Sequence, residues 1–248
     1  MKRAILIGFV AALGLALALF GRPAGQAQPG PAPAPAFRPA VFGQPMPDFS
    51  LPAVQGGEYG PAKLKGKNVL FVFPRGKVGD HWCQICHYQY AELADLEAKL
   101  GLRKTYDLEV VFVLPYGEAE VRHWAEIFPA QMAVIEGWKN PPGFDKLEGR
   151  RKDAVLRMRR FFPQAFDFGS GPAPTPFPIL YDGDQAVSKM LGLFTTNWDR
   201  SAVDQNIPTI VLLNAAGDVS FKYTSQTTFD RPNAGYLVKI LDKLVLSR

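Results

Sequence analysis

Both cysteines of this 248-residue chain fall in a single step, Cys83-Gln84-Ile85-Cys86. An apolar run, Asn68 to Phe73, precedes the pair. Tyr88 to Leu100 follows it, with Tyr90, Leu93, Leu96, Ala98 and Leu100 spaced as one helical stripe. The order is therefore strand, loop, C-x-x-C, helix. Any fold the chain adopts has to bring the end of a buried strand and the start of a helix to the same place. With both thiols in one motif, no other disulfide can form within the chain.

That placement has chemical consequences. The thiolate is the form of cysteine that attacks a disulfide, and the first turn of a helix presents unpaired N–H groups carrying partial positive charge. A free thiol titrates at about 8.5, whereas helix-start C-x-x-C cysteines fall to roughly 3.5–7.5. Cys83 is accordingly the expected attacking thiolate, with Cys86, one turn inside the helix, closing the ring. Zinc would require two further ligands. Only His81, His87 and His123 are on hand to supply them, so no metal and no cofactor is expected.

The ends of the chain suggest where this chemistry takes place. Met1-Lys2-Arg3 precedes residues 4–20, which carry no charge, and Gly25-Gln26-Ala27 offers the small residues of a cleavage site. Residues 1–27 read as a signal peptide or an N-terminal membrane anchor. The protein is thus expected to be exported, periplasmic or otherwise extracytoplasmic, where disulfide chemistry has substrates. Residues 28–43 are rich in Pro and Ala and read as a semi-rigid linker. Residues 44–248 suffice for one well-buried domain. There are 28 basic and 23 acidic residues, and Lys2, Arg3 and Arg22 lie in the leader, so the remainder is nearly balanced and gives no support for nucleic-acid binding. The basic cluster from Lys146 to Arg160 reads as the solvated face of a helix, with docking to an acidic partner or to lipid headgroups as the alternative.

Further along, Leu108 to Leu114 is almost wholly apolar, as a buried strand requires. Ile179-Leu180-Tyr181 and Val219 to Tyr223 read as further strands. Tyr236, Leu237, Ile240, Leu241, Leu244 and Val245 mark a C-terminal helix. Strands alternating with helices predict an α/β layer structure, a central mixed sheet flanked by helices. Between about 117 and 178 lies an insertion with helices around Val121 to Phe128 and Val155 to Phe162, broken at Asn140 to Gly143.

Several separated segments resemble one family. Gln44-Pro45-Met46-Pro47-Asp48-Phe49, then Gly57, Lys63-Leu64 and Gly66-Lys67, is similar to the entry segment of redoxins. These form the thioredoxin-superfamily branch that includes AhpC/TSA-type peroxiredoxins and envelope thiol-disulfide reductases. Arg75-Gly76, Trp82-Cys83 and Cys86 resemble the Arg-Gly-x-Trp-Cys-x-x-Cys stretch of its members, with a longer connection at Lys77 to His81. Ile207-Pro208-Thr209 followed by an apolar strand looks like the cis-proline loop of thioredoxins. The resemblance implies a thioredoxin-like fold with the insertion before the cis-Pro half. It further implies a cis Pro208 facing the two sulfurs, with Trp82 and Thr209 in supporting positions, and Arg75, His81 and His87 are supporting candidates because they lie close to the two cysteines in sequence.

The same resemblance separates two mechanisms. In disulfide exchange Cys83 attacks and Cys86 resolves, with a disulfide or dithiol substrate and an electron donor or acceptor as partners. In peroxiredoxins the peroxide-reactive cysteine matches Cys86, with Thr or Ser three residues earlier, Pro seven earlier and an Arg near the cis-proline position. Here those places hold Cys83, Gly79 and Pro208, which favours exchange and leaves an atypical peroxidase as the alternative. Gln89 replaces the Glu that many envelope reductases use to move a proton, leaving His87 or Glu92 as substitutes. Cys86-His87 also completes the C-x-x-C-H signature of c-type haem attachment. A haem protein and a non-enzymatic binding module of the same fold are the remaining alternatives.

Overall fold

In the computed structural model, the residues described are 37–166, 168, 173 and 175–247. The leader and the first part of the linker lie outside them. A short antiparallel pair, β1 (Leu51–Pro52) and β2 (Glu58–Tyr59), leads into β3 (Asn68–Phe73). A second hairpin, β4 (Lys77–Val78) and β5 (His81–Trp82), delivers the chain to α1 (Gln84–Leu100). Next come α2 (Leu102–Thr105), β6 (Leu108–Leu114), α3 (Glu118–Glu126), α4 (Phe128–Lys139) and α5 (Gly149–Phe161). The second half contains β7 (Ile179–Tyr181), α6 (Ala186–Met190), the paired β8 (Phe194–Thr195) and β9 (Gln205–Asn206), β10 (Thr209–Leu213), β11 (Val219–Thr224) and α7 (Ala234–Leu241).

The central sheet runs β11-β10-β3-β6-β7. β3, β6 and β7 are parallel, β10 joins β3 antiparallel on the other side, and β11 pairs antiparallel with β10 at the edge. Alternation along the central strands sorts their side chains onto two faces. Leu70, Val72, Val110, Phe112, Ile210 and Leu212 meet Tyr90 and Leu93 of α1, Trp124 of α3, and Leu237 and Leu241 of α7. Val69, Phe71, Phe73, Val111, Val113, Val211 and Leu213 face the other way, toward Val187 and Met190 of α6. Burial on both faces is why β3 and β6 read as unbroken apolar runs.

The inserted helices differ from the expected pair. Pro129 occupies the first turn of α4, where its missing N–H costs nothing, so the apolar pattern continues across a break between α3 and α4. The break at Asn140 to Gly143 is where α4 ends. Met132 and Ile135 of α4 and Phe162, just after α5, form a third apolar cluster with Cys83, Ile85, Cys86 and Tyr88. The insertion thus roofs the C-x-x-C helix. Of α5 only Val155 is buried, and its basic residues lie at the surface. On α1 the stripe buries Tyr90 and Leu93, whereas Ala98 and Leu100 at its far end are exposed.

Residues 37–43, assigned to the linker by composition, run against the domain. Arg38 N–H donates to Met190 O at 2.8 Å, Gly43 N–H donates to Val219 O at 2.8 Å, and Ala40 is buried. Among the described residues no helix is long and apolar enough to cross a membrane.

Candidate active site

Strand β3 ends at Phe73, and the longer connection before the motif is the β4–β5 hairpin. Its two-residue turn has Gly79 first, at φ +57°, the left-handed conformation that a tight hairpin turn needs. Gly76, at φ +87°, opens the hairpin, and its carbonyl accepts the Cys83 N–H at 2.8 Å. Trp82 is buried edge-on against Tyr116, with ring centroids 5.1 Å apart. The Tyr116 hydroxyl accepts from Lys77 N–H at 2.8 Å and donates to Asp204 O at 2.7 Å. These contacts fix Cys83 as the N-cap of α1, and the Cys86 N–H donates to the Cys83 carbonyl at 3.1 Å.

The thiols are free and both nearly out of solvent, Cys83 at 2% exposure and Cys86 at 0%. Their acidities diverge. The Cys86 thiol hydrogen-bonds to Cys83 and pulls its pKa down to about 6 against the cost of burial, helped by Arg231, the Cys86 backbone N–H and Arg75. Burial, together with the neighbouring Cys83, pushes Cys86 well above the ordinary thiol range. The pair is thus arranged to lose its first proton from Cys83.

Two guanidinium groups flank the sulfurs. Arg75 is 1% exposed and fully engaged. Its Nε donates to Gln205 Oε1 at 2.6 Å, Nη1 to Thr228 Oγ1 at 2.5 Å and Nη2 to Trp198 O at 2.9 Å. Thr228 in turn donates to Asp199 through its hydroxyl and, at 2.6 Å, its backbone N–H. Arg75, expected among the supporting residues, is thus a buried strut. Arg231 is the residue that sequence reasoning missed. Its three guanidinium nitrogens are buried without a hydrogen-bond partner, as is Gln89 Nε2 one turn beyond Cys86. Unsatisfied buried donors cost about 1–3 kcal/mol each. No motif marks Arg231; it sits in the loop between β11 and α7, just before the helix N-cap Asn233.

The other expected site residues divide. His81 is exposed on the hairpin. His87 is buried between Trp124 and Phe128, its Nδ1 3.1 Å from Cys83 O and its Nε2 2.9 Å from Trp124 O. Two carbonyl partners favour the protonated ring, but burial outweighs them and brings the pKa down to about 4. Both ring nitrogens face backbone carbonyl oxygens, so the neutral ring donates to one of them and its lone-pair nitrogen lies against the other oxygen rather than against the Cys86 thiol, which disfavours it as that thiol's base. Glu92 is buried too, and desolvation lifts it to about 7. Thr209 begins β10 opposite Phe73, its hydroxyl donating to Ile207 O at 3.0 Å.

Pro208 departs from expectation: every described peptide bond, Ile207-Pro208 included, is trans. The approach to β10 is held extended, with Asn206 N–H donating to Arg75 O at 3.1 Å and Ile207 N–H to Leu193 O at 2.7 Å. That path accommodates the trans bond, which for X–Pro is already preferred by about 0.5–1 kcal/mol. Pro208 shares a crevice with Gln89, Ser225 and Arg231. Among the described residues no group of three or more His, Cys, Asp or Glu side chains is placed to hold a metal ion.

No family model matches the sequence, and neither does any curated protein. Solved structures do match in shape. A cysteine-to-serine mutant of peroxiredoxin 6 from Arenicola marina is 11% identical with a TM-score of 0.54, over 84% of this chain and 74% of that one. AhpC of Enterococcus faecalis is 14% identical with a TM-score of 0.51, over 82% and 92%. Reduced 2-Cys peroxiredoxin of Plasmodium vivax is 17% identical with a TM-score of 0.50, over 82% and 81%. Together with the β11-β10-β3-β6-β7 sheet and a C-x-x-C capping its first long helix, these likenesses show that the chain has the thioredoxin-like fold of the peroxiredoxins.

Proposed function

We propose that the chain is an exported thiol-disulfide oxidoreductase in which Cys83 attacks and Cys86 resolves. The observation that carries this reading is the placement of the pair, two free thiols with Cys83 at the N-cap of α1 and Cys86 one turn inside it, where Cys86 donates toward Cys83 and favours the Cys83 anion. The Cys83 thiolate attacks one sulfur of a substrate disulfide. A new S–S bond forms, and the other substrate sulfur leaves as a thiolate. Cys83 is then neutral and no longer accepts the Cys86 proton, so two of the influences that raised the Cys86 pKa disappear. Arg231 and the Gly76 N–H, which favour its anion, remain. Cys86 loses its proton to solvent or to the departing thiolate and attacks Cys83 Sγ. The Cys83–Cys86 disulfide closes, and the substrate leaves reduced by two electrons.

A second reading has its own support. Sulfurs so little exposed suit a small oxidant, and Arg75 and Arg231 supply the cations that a peroxidase needs beside its thiolate. In that reading Cys83, not Cys86, attacks the peroxide oxygen. It becomes a sulfenic acid as the alcohol or water leaves, and Cys86 condenses with it to the disulfide, releasing one water. Trapping separates the two. Cys86→Ser should accumulate a mixed disulfide with a substrate or a model disulfide, while Cys83→Ser should be inert. A Cys86→Ser protein that is sulfenylated by peroxide yet forms no mixed disulfide would transfer the assignment to peroxide reduction, and a Cys83→Ser protein that keeps its activity would overturn both readings.

A further inference from the structure

Helix α5 carries six cations, Arg150, Arg151, Lys152, Arg157, Arg159 and Arg160, against one acid, Asp153. Two of them are engaged by the domain. Arg159 Nε donates to Lys139 O at 2.8 Å, and Lys152 and Arg159 both lie over the Phe144 ring. Arg150, Arg151, Arg157 and Arg160 are exposed and form no ion pair among the described residues. Helical spacing places Arg150, Arg157 and Arg160 on one face with Asp153, opposite the buried Val155. Three guanidinium groups around one carboxylate leave that face strongly positive.

The charged face leads to the dithiol. α5 ends at Phe161, 47% exposed, whose ring lies 5.2 Å from that of Phe229, 40% exposed. The next residue, Phe162, packs in the apolar cluster that holds Cys83 and Cys86. Exposed aromatic rings beside guanidinium groups are the composition that protein interfaces favour. A helix lying on a membrane instead buries a continuous apolar face. α5 has none, because its exposed large apolar residues, Leu156 and Phe161, flank the arginine face from opposite sides.

We propose that this face docks an acidic protein beside the dithiol, its Asp and Glu side chains paired with Arg150, Arg157 and Arg160 and its apolar contact made on Phe161 and Phe229. Guanidinium forks pair with carboxylates through two parallel hydrogen bonds, and complementary charge speeds encounter and fixes register. The docked protein is the one whose disulfide Cys83 attacks. That last assignment rests on the exchange reading, whereas the docking does not.

The test uses two peptides, each a disulfide-linked dimer, with four Glu residues around the cysteine in one and four Lys residues in the other. At neutral pH and about 0.15 M salt, where charges are screened beyond ~8 Å, the reduced full chain should reduce the Glu disulfide at least about tenfold faster than the Lys one. Arg150→Glu, Arg157→Glu and Arg160→Glu together should reverse that order, and because all three positions are exposed the triple variant should melt normally. Docking is measured without exchange in the full chain carrying Cys83→Ser, by fluorescence anisotropy of labelled peptides with Ser in place of cysteine. Saturable binding of the Glu peptide, lost when the triple substitution is added, is expected. That binding with neither disulfide reduced would leave the docking face in place and count against the exchange reading alone. No saturable binding, equal binding of the Glu and Lys peptides, a Glu preference that survives the triple substitution, or association with phosphatidylglycerol vesicles alone would overturn the proposal.

Discussion

Cys83 and Cys86 have the same side chain, yet they differ in acidity because Cys86 donates its thiol proton to Cys83 at the helix cap, while burial a turn inside the helix holds that proton on Cys86. Glu92, two turns along the same helix, shows burial acting without such help. Its pKa rises from 4.5 to about 7, so folding favours its protonated form. The benefit to the folded state is present below the unfolded value and is lost as pH rises through about 7. Glu92→Gln should therefore raise stability at pH 8 by on the order of 2–3 kcal/mol and do much less at pH 5. Thermal melts at the two pH values check this, and an equal gain at both would show that the carboxyl is not desolvated. His87 has the opposite sign. Its pKa is lowered to about 4, so the unfolded chain takes up a proton first, and stability should fall as the pH drops from about 6.5 toward 4.

At the scale of elements, the site depends on how the β4–β5 hairpin meets α1. A Cβ added at Gly76 would lie 2.3 Å from the Tyr116 ring, at a φ of +87° that side chains rarely adopt. Gly76→Ala should therefore displace Tyr116, loosen the bond to Cys83 N–H and lower the reactivity of Cys83 more than tenfold, a loss readable as the rate of alkylation at neutral pH. An unchanged rate would mean the hairpin does not position the thiol. Much of this scale was legible in the sequence. Unbroken apolar runs marked β3 and β6, and the strand-to-helix setting of the two cysteines marked the site. The hairpin was legible only as excess length, because two-residue strands carry too short a pattern. The split between α3 and α4 was hidden by apolar spacing that runs through Pro129. Arg231 was not legible at all, since only the packing of the β11–α7 loop carries its guanidinium to the sulfurs, and sequence spacing says nothing about contacts between residues 145 or more positions apart. The same applies to Pro208, where a likeness in local sequence did not specify the isomer.

At the scale of the molecule, one sheet with helices on both faces holds a dithiol at a strand end, and α4 with the residue that follows α5 closes over it. Residues 37–43 belong to that body. Lys222 Nζ donates to Ala40 O at 3.0 Å, and the Phe37 ring lies against Gly192. A chain beginning at Gln44 should therefore melt several degrees below one beginning at Phe37, and equal melting temperatures would show that the segment contributes nothing to the fold. The central claim, that this architecture makes Cys83 the attacking thiolate, is tested most directly by the pH dependence of alkylation, resolved by cysteine with mass spectrometry. Cys83 should react first with a midpoint near 6, shifting upward in Arg231→Met, while Cys86 stays unmodified at neutral pH. First labelling of Cys86, or a Cys83 midpoint at the free-thiol value of about 8.5, would contradict it.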